Sequence, residues 1–185
     1  MPDAMLPTLG TCSDVEHQPC TPRLNLMARA QHDPTQRRPR GPEDVWVEGA
    51  HGRFWGLYGA AGLLLRHPDA GVLLQLRAEW SHLGGTWGIP GGARKAGETP
   101  QQAAVREADE EAGVPPELVH VLGSSIFDVG YWSYTTVLAH ARELFEPFVG
   151  DAESAELRWV PMDEVARLPL HPGFGASWPE LRERI

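Results

Sequence analysis

The sequence predicts an α/β fold in which a mixed β-sheet is covered by helices on both faces. Three observations predict it. Apolar, strand-like runs stand on both sides of one well-capped helical segment. More strands follow that helix without a second long helical period. A short amphipathic segment closes the chain, so each face of the sheet has a helix to cover it.

The elements follow in order. Residues 1–44 are rich in Pro, Thr, Gln, Asp and Arg and show no sustained period, so they are expected to be a disordered extension. The folded domain is expected over 45–185. Phe54 to Leu65 reads as one long, largely buried strand. Gly71 to Arg77 reads as the next, after a turn at His67-Pro68-Asp69. Thr86 to Gly92 reads as a short strand turning into a loop. Thr99 is a good N-cap, Pro100 suits the first helical position, and Gln102 completes a capping box. Gly113 fits the left-handed position that ends a helix, which places the helix over about 100–112. Val119 to Phe127, Tyr131 to Ala141 and Leu157 to Val160 are further strands. Met162 to Arg167 reads as a helical turn, and Ser177 to Glu183 as a terminal helix capped near Ser177.

The helix at 100–112 carries the chemistry. Glu107, Glu110 and Glu111 are spaced i, i+3 and i+4, so they share one face at roughly 5–6 Å between Cβ atoms. Three carboxylates there repel one another, and a hard divalent cation reverses that sign. Such cations take oxygen ligands and leave positions for substrate phosphates. Arg106 precedes Glu110 by four residues and is placed to pair with it and orient it.

From Gly92 the chain runs Gly92-x5-Glu98-x7-Arg106-Glu107-Ala108-x-Glu110-Glu111-x-Gly113-Val114. This pattern resembles the Nudix box, with every specified position filled. The resemblance implies an α/β/α sandwich and a hydrolase that splits a pyrophosphate bond in a nucleoside diphosphate-linked substrate. It implies magnesium as cofactor, with manganese as the alternative. It makes Glu107, Glu110 and Glu111 the metal and catalytic residues, with the carbonyl of Gly91 a further ligand. Arg106 is expected to support catalysis, and Gly92, Glu98 and Gly113 to hold the box in shape. In many members the general base comes from a loop outside the box. Glu153 and Glu156 lie in the acidic segment before the last strand, as base or extra ligand, or as exposed loop acids.

Substrate is less defined. The stretch Gly85 to Gly92 resembles MutT-like members, which act on nucleoside triphosphates. Tyr131, 17 residues past Val114, points instead to dinucleoside polyphosphates, and a nucleotide-sugar pyrophosphatase is a further alternative. Trp87, Tyr131, Trp132 and His171 are candidate substrate contacts, the aromatics by stacking on a base and His171 at a phosphate or base. The alternative for each is a core or surface role.

Two rivals use the same fold. A non-catalytic, nucleotide-sensing domain is expected to lose box glutamates, and all are retained here. An isomerase of isoprenyl diphosphates is expected to use a domain cysteine, and none lies between Val45 and Ile185. Net charge is −9, which argues against a nucleic-acid polymer as partner. No apolar run approaches ~20 residues, so no membrane span is expected. Cys12 and Cys20 form no disulfide framework, and cytoplasm is the expected location. The remaining expected partners are a small-molecule nucleotide and, by the resemblance, a second copy of the chain.

Overall fold

The structure is a computed structural model that describes residues 41–185. The expectation of disorder over 1–44 falls almost entirely outside those residues.

The main sheet runs β5-β4-β3-β8-β7, with β6 paired to β3 and β9 to β4. Its strands are β3 (Ala60–His67), β4 (Gly71–Arg77), β5 (Trp87–Gly88), β6 (Gly91–Ala93), β7 (Val119–Asp128), β8 (Ser133–Ala141) and β9 (Ser154–Val160). Strands β3 and β8 pair in parallel and their neighbours pair antiparallel, so the sheet is mixed as expected. Helix α1 (Pro100–Ala112) covers one face and α2 (Pro172–Leu181) the other.

Side-chain alternation sorts the two cores. Ala61, Leu63, Leu65, Leu73, Val137 and Ala139 face α1 and meet Ala103, Ala104, Ala108 and Ala112. These small side chains let the helix approach the strands closely. Leu64, Val72, Leu74 and Leu138 face the other way and meet Phe174, Trp178 and Leu181 of α2.

Helix α1 begins and ends where the local signals place it. The Gln102 N–H donates to Thr99 Oγ1 at 3.2 Å, and the Thr99 N–H donates to Gln102 Oε1 at 2.9 Å. Gly113 closes the helix with φ 64°, and its N–H donates to Asp109 O. Thr99→Ala is expected to destabilise the protein by about 1 kcal/mol, read as a shift in urea midpoint at unchanged slope.

Two expectations are corrected. The run Phe54 to Leu65 is two strands, not one. Gly56 (φ 103°) and Gly59 (φ 83°) turn the chain between β2 (Gly52–Trp55) and β3. At Gly59 a Cβ would stand 2.6 Å from the Ser133 carbonyl oxygen, so the turn also depends on close backbone approach. Strand β2 pairs instead with β1 (Trp46–Gly49) in a separate hairpin. The second correction concerns α2. It starts at Pro172, five residues before the expected cap, with His171 as N-cap, while the Ser177 hydroxyl donates to Gly173 O inside the helix. Gly173, Gly175 and Pro179 obscure the helix in local propensity. Burial of Phe174, Trp178 and Leu181 at i, i+4 and i+7 outweighs that penalty.

Candidate active site

The site is assembled where the N-terminal half of the box meets α1. Leu63 N–H donates to the Pro90 carbonyl, and the next pair along the β3–β6 ladder is Gly62 with Gly91. In an antiparallel ladder hydrogen-bonded and non-hydrogen-bonded pairs alternate. The N–H and C=O of Gly91 therefore point away from β3. That N–H donates to Glu111 Oε2 at 3.0 Å, and the carbonyl shares its side. The backbone turn is thereby tied to the helix carboxylate by a charge-assisted bond.

Glu107 and Glu111 are each 8% exposed, and the Glu110 side chain is 35% exposed. A Cβ added at Gly92 would stand 2.8 Å from the Glu107 carboxyl carbon, so glycine here admits the carboxylate against the backbone. Arg106 is the hub of the cluster. Its guanidinium donates to Glu98 at 2.7 and 2.9 Å, to Glu107 at 2.6 Å, to Glu110 at 3.0 Å and to Ala93 O at 3.2 Å. The Lys95 N–H also donates to Glu98. The Arg106 bond, aided by Lys95, holds the Glu98 carboxyl below the usual carboxylate range despite its burial. The same carboxylates raise the guanidinium above its ordinary value, so Arg106 stays charged throughout. Glu98 and Arg106 thus form a clamp between the loop and the helix.

Among the described residues, no group of three or more His, Cys, Asp or Glu side chains is arranged to hold a metal ion by itself. A magnesium ion does not require one. It holds several waters and takes one or two carboxylates plus substrate phosphates. Glu107, Glu110, Glu111 and the Gly91 carbonyl are hard oxygen donors on one side of α1, and that chemistry fits a divalent cation.

The acids proposed as base separate. Glu156 pairs with Leu76, whose side chain packs in the α2-side core, so the register puts Glu156 on the sheet face opposite α1. It is exposed and lies 3.8 Å from Arg158. Glu153 is half-buried in the loop before β9, where its carbonyl accepts from the Ala78 N–H. Its neighbour Asp151 is buried and caps that turn, accepting from Glu153 N–H and the Ser154 hydroxyl.

The four candidate substrate contacts all carry structural duties. Trp87 is 5% exposed within the α2-side core, and the Arg158 guanidinium covers its ring at 4.5 Å. That face is already taken, so Trp87 is a core residue and not a stacking platform. Trp132 stacks on Phe54 at 4.5 Å and donates its indole N–H to the carbonyls of Trp55 and Gly56. The Tyr131 hydroxyl donates to Gly52 O and accepts from His51 N–H. Both residues therefore anchor the β1–β2 hairpin, and together they line a hollow of about 240 Å³ with Leu57, Tyr58 and Asp128. His171 caps α2, its Nδ1 accepting from Gly173 N–H, while its own N–H donates to Trp87 O. Burial, with the charges of Arg77 and His82, keeps its imidazole below the usual histidine range. The larger groove, about 520 Å³ between α1 and β7, is lined by Val105, Asp109, Val119 and Val121 and by no box glutamate.

One residue of this region was not singled out in the sequence. Tyr134 lies on β8 beside Ala60, with its hydroxyl directed at Gly62. Burial and then the nearby Glu111 charge push its phenol above the ordinary tyrosine range, with Arg77 opposing. A tyrosine in a strand is unremarkable by propensity, so only the pairing of β3 with β8 reveals its place.

The chain is similar to known proteins over most of its length. A family model described as the NUDIX domain matches residues 57–180. A Mycobacterium tuberculosis protein named "Putative 8-oxo-dGTP diphosphatase 3" is 55% identical over 154 residues, covering 77% of this chain and 70% of its own. The crystal structure of a Nudix hydrolase from M. smegmatis, RenU, is 54% identical with a TM-score of 0.69, covering 76% of this chain and 93% of that one. A C. elegans Ap4A hydrolase, at 23% identity and a TM-score of 0.56, shares the fold over 67% of this chain and 96% of its own.

Proposed function

The chain belongs to the Nudix hydrolase family, and from that premise we propose that it is a magnesium-dependent pyrophosphohydrolase of nucleoside triphosphates, oxidised ones included. The observation that carries the reading is the gathering of Glu107, Glu110, Glu111, Arg106 and the Gly91 backbone on one side of α1. The choice of triphosphates is supported by the name of the mycobacterial relative and by the MutT-like stretch Gly85 to Gly92.

A bound divalent ion supplies charge neutralisation at the phosphates and lowers the pKa of attached water. The residues do the rest. Glu107, Glu110 and Glu111 present oxygens on one side of α1. Arg106 keeps Glu107 and Glu110 in fixed rotamers while offsetting their mutual repulsion. The Gly91 N–H holds Glu111 in place, so the carboxylate is oriented before substrate arrives. Of the two loop acids, Glu153 is retained as the candidate general base, because the register turns Glu156 to the opposite face. Water then attacks phosphorus within the pyrophosphate bond, releasing a nucleotide and a second phosphorylated product.

The test is a panel of nucleoside triphosphates, their 8-oxo forms, dinucleoside polyphosphates and nucleotide sugars, with products identified and magnesium or manganese added back after chelation. Triphosphates, cleaved to nucleoside monophosphate and pyrophosphate only with metal present, are the expected result. Preferred cleavage of a dinucleoside polyphosphate or nucleotide sugar would replace the substrate assignment. Turnover that survives chelation would remove the metal.

A further inference from the structure

Gly62 is central in β3, where a β-branched or large apolar residue would ordinarily be favoured. Its flanks, Ala61 and Leu63, are both buried in the α1-side core. A Cβ built at Gly62 would collide with the Tyr134 hydroxyl, 2.2 Å away, and press on Ile89 and the Pro90 carbonyl at 3.0 Å. Gly62 also faces Gly91 across the β3–β6 ladder. The Tyr134 hydroxyl is thus held against the backbone of the turn whose Gly91 N–H anchors Glu111.

That hydroxyl makes no hydrogen bond with a described residue, and the residue remains partly exposed. Its ring is kept in place by Trp132, 6.3 Å away at 33°, which is itself stacked on Phe54. A tyrosine hydroxyl is protonated at neutral pH and is both donor and acceptor, and one packed against buried backbone ordinarily finds a partner. Here a strand position has been emptied of side chain and the space is filled by a polar group on the α2-facing side of the sheet, packed against the backbone of the Gly91 turn and within the field of Glu111.

We propose that Tyr134 is a substrate-binding residue whose hydroxyl donates to the phosphate chain of the nucleotide, and that Gly62 lacks a side chain so that this hydroxyl can stand there. The assignment rests on the pyrophosphohydrolase reading and names a contact within it. A phosphate oxygen is the natural acceptor, since the backbone turn against which the hydroxyl packs is the one whose Gly91 N–H anchors the Glu111 carboxylate.

The test uses the full-length protein, magnesium and dGTP or 8-oxo-dGTP, whichever the panel shows to be cleaved faster. Tyr134→Phe keeps the ring and removes the oxygen. KM is expected to rise on the order of tenfold while kcat changes little, as for loss of one charge-assisted bond made equally in ground and transition states. Gly62→Ala is expected to raise KM likewise and to lower Tm. Adding Tyr134→Phe to Gly62→Ala is expected to recover Tm, because the collision is gone, but not KM. An unchanged KM in Tyr134→Phe overturns the substrate contact. Failure of the double variant to recover Tm overturns the stated reason for Gly62. Should Gly62→Ala not fold, the Tyr134→Phe kinetics decide alone. Glu111→Gln is assayed in parallel: an inactive Glu111→Gln beside a fully normal Tyr134→Phe rejects only this inference, whereas full activity of Glu111→Gln rejects the reading beneath it.

Discussion

Glu111→Gln is expected to lower kcat by at least about two orders of magnitude at saturating magnesium, the scale of losing one principal electrostatic element. The substitution is nearly isosteric. A glutamine amide still offers an oxygen to the Gly91 N–H, so the turn and the helix remain joined. What disappears is one negative charge among oxygens placed to hold a cation. Glu107→Gln is expected to behave alike, since Glu107 is equally buried and shares the Arg106 clamp. Stability should rise or stay unchanged in Glu111→Gln, which relieves repulsion within the acidic cluster, and should fall in Glu107→Gln, which also weakens the bond to Arg106. Steady-state kinetics with a magnesium titration, alongside thermal unfolding, separate the two effects. Near-normal turnover in both variants at saturating metal would remove these carboxylates from the reaction.

The second large effect belongs to Arg106. Arg106→Ala withdraws the cation from Glu98, Glu107 and Glu110 at once, in a site where the arginine side chain is only 20% exposed. Breaking a buried ion pair by deleting one partner costs about 3 kcal/mol at the lower end, fitting a site with residual solvent access. For a domain of this size that corresponds to a Tm loss of roughly 6–12 °C. Arg106→Lys should recover little of it, because an ammonium cannot fork between Glu98 and the helix carboxylates. The pH dependence carries a signature. Arg106 holds the Glu98 pKa below its ordinary value near 4.5. That stabilisation is therefore present above the ordinary value and is lost as pH falls through the lowered one. Thermal unfolding between pH 7 and pH 3 should show a shallower acid-side decline in Arg106→Ala than in the parent. Equal slopes would mean that the Glu98 clamp adds no stability.

Local code explains how much of α1 was legible. Thr99, Pro100, Gln102 and Gly113 act within one turn of themselves, so their pattern specifies the helix limits without reference to the rest of the chain. The carboxylate spacing is equally local, and the structure groups the residues as the helix period requires. Strands β4 and β7 were legible from apolar runs for the same reason. Positions that depend on distant partners were not. The break at Gly56–Gly59 is set by β3 having to reach β8, and α2 by an apolar stripe whose value exists only against Leu64, Val72 and Leu74. Aromatic residues were read least well. Trp87, Trp132 and Tyr131 are alike in sequence terms, yet one lies under Arg158 and the other two tether a hairpin.

By itself, then, the chain's order of residues determined the acidic helix, its caps and the family of chemistry, because those depend on contacts three and four residues apart. Only the tertiary structure decided which loop acid lies on the opposite sheet face and which aromatics are consumed by packing. It alone brought Tyr134 against Gly62 and the Gly91 turn. Those outcomes depend on strand register and on which surfaces are buried, quantities that no single segment carries.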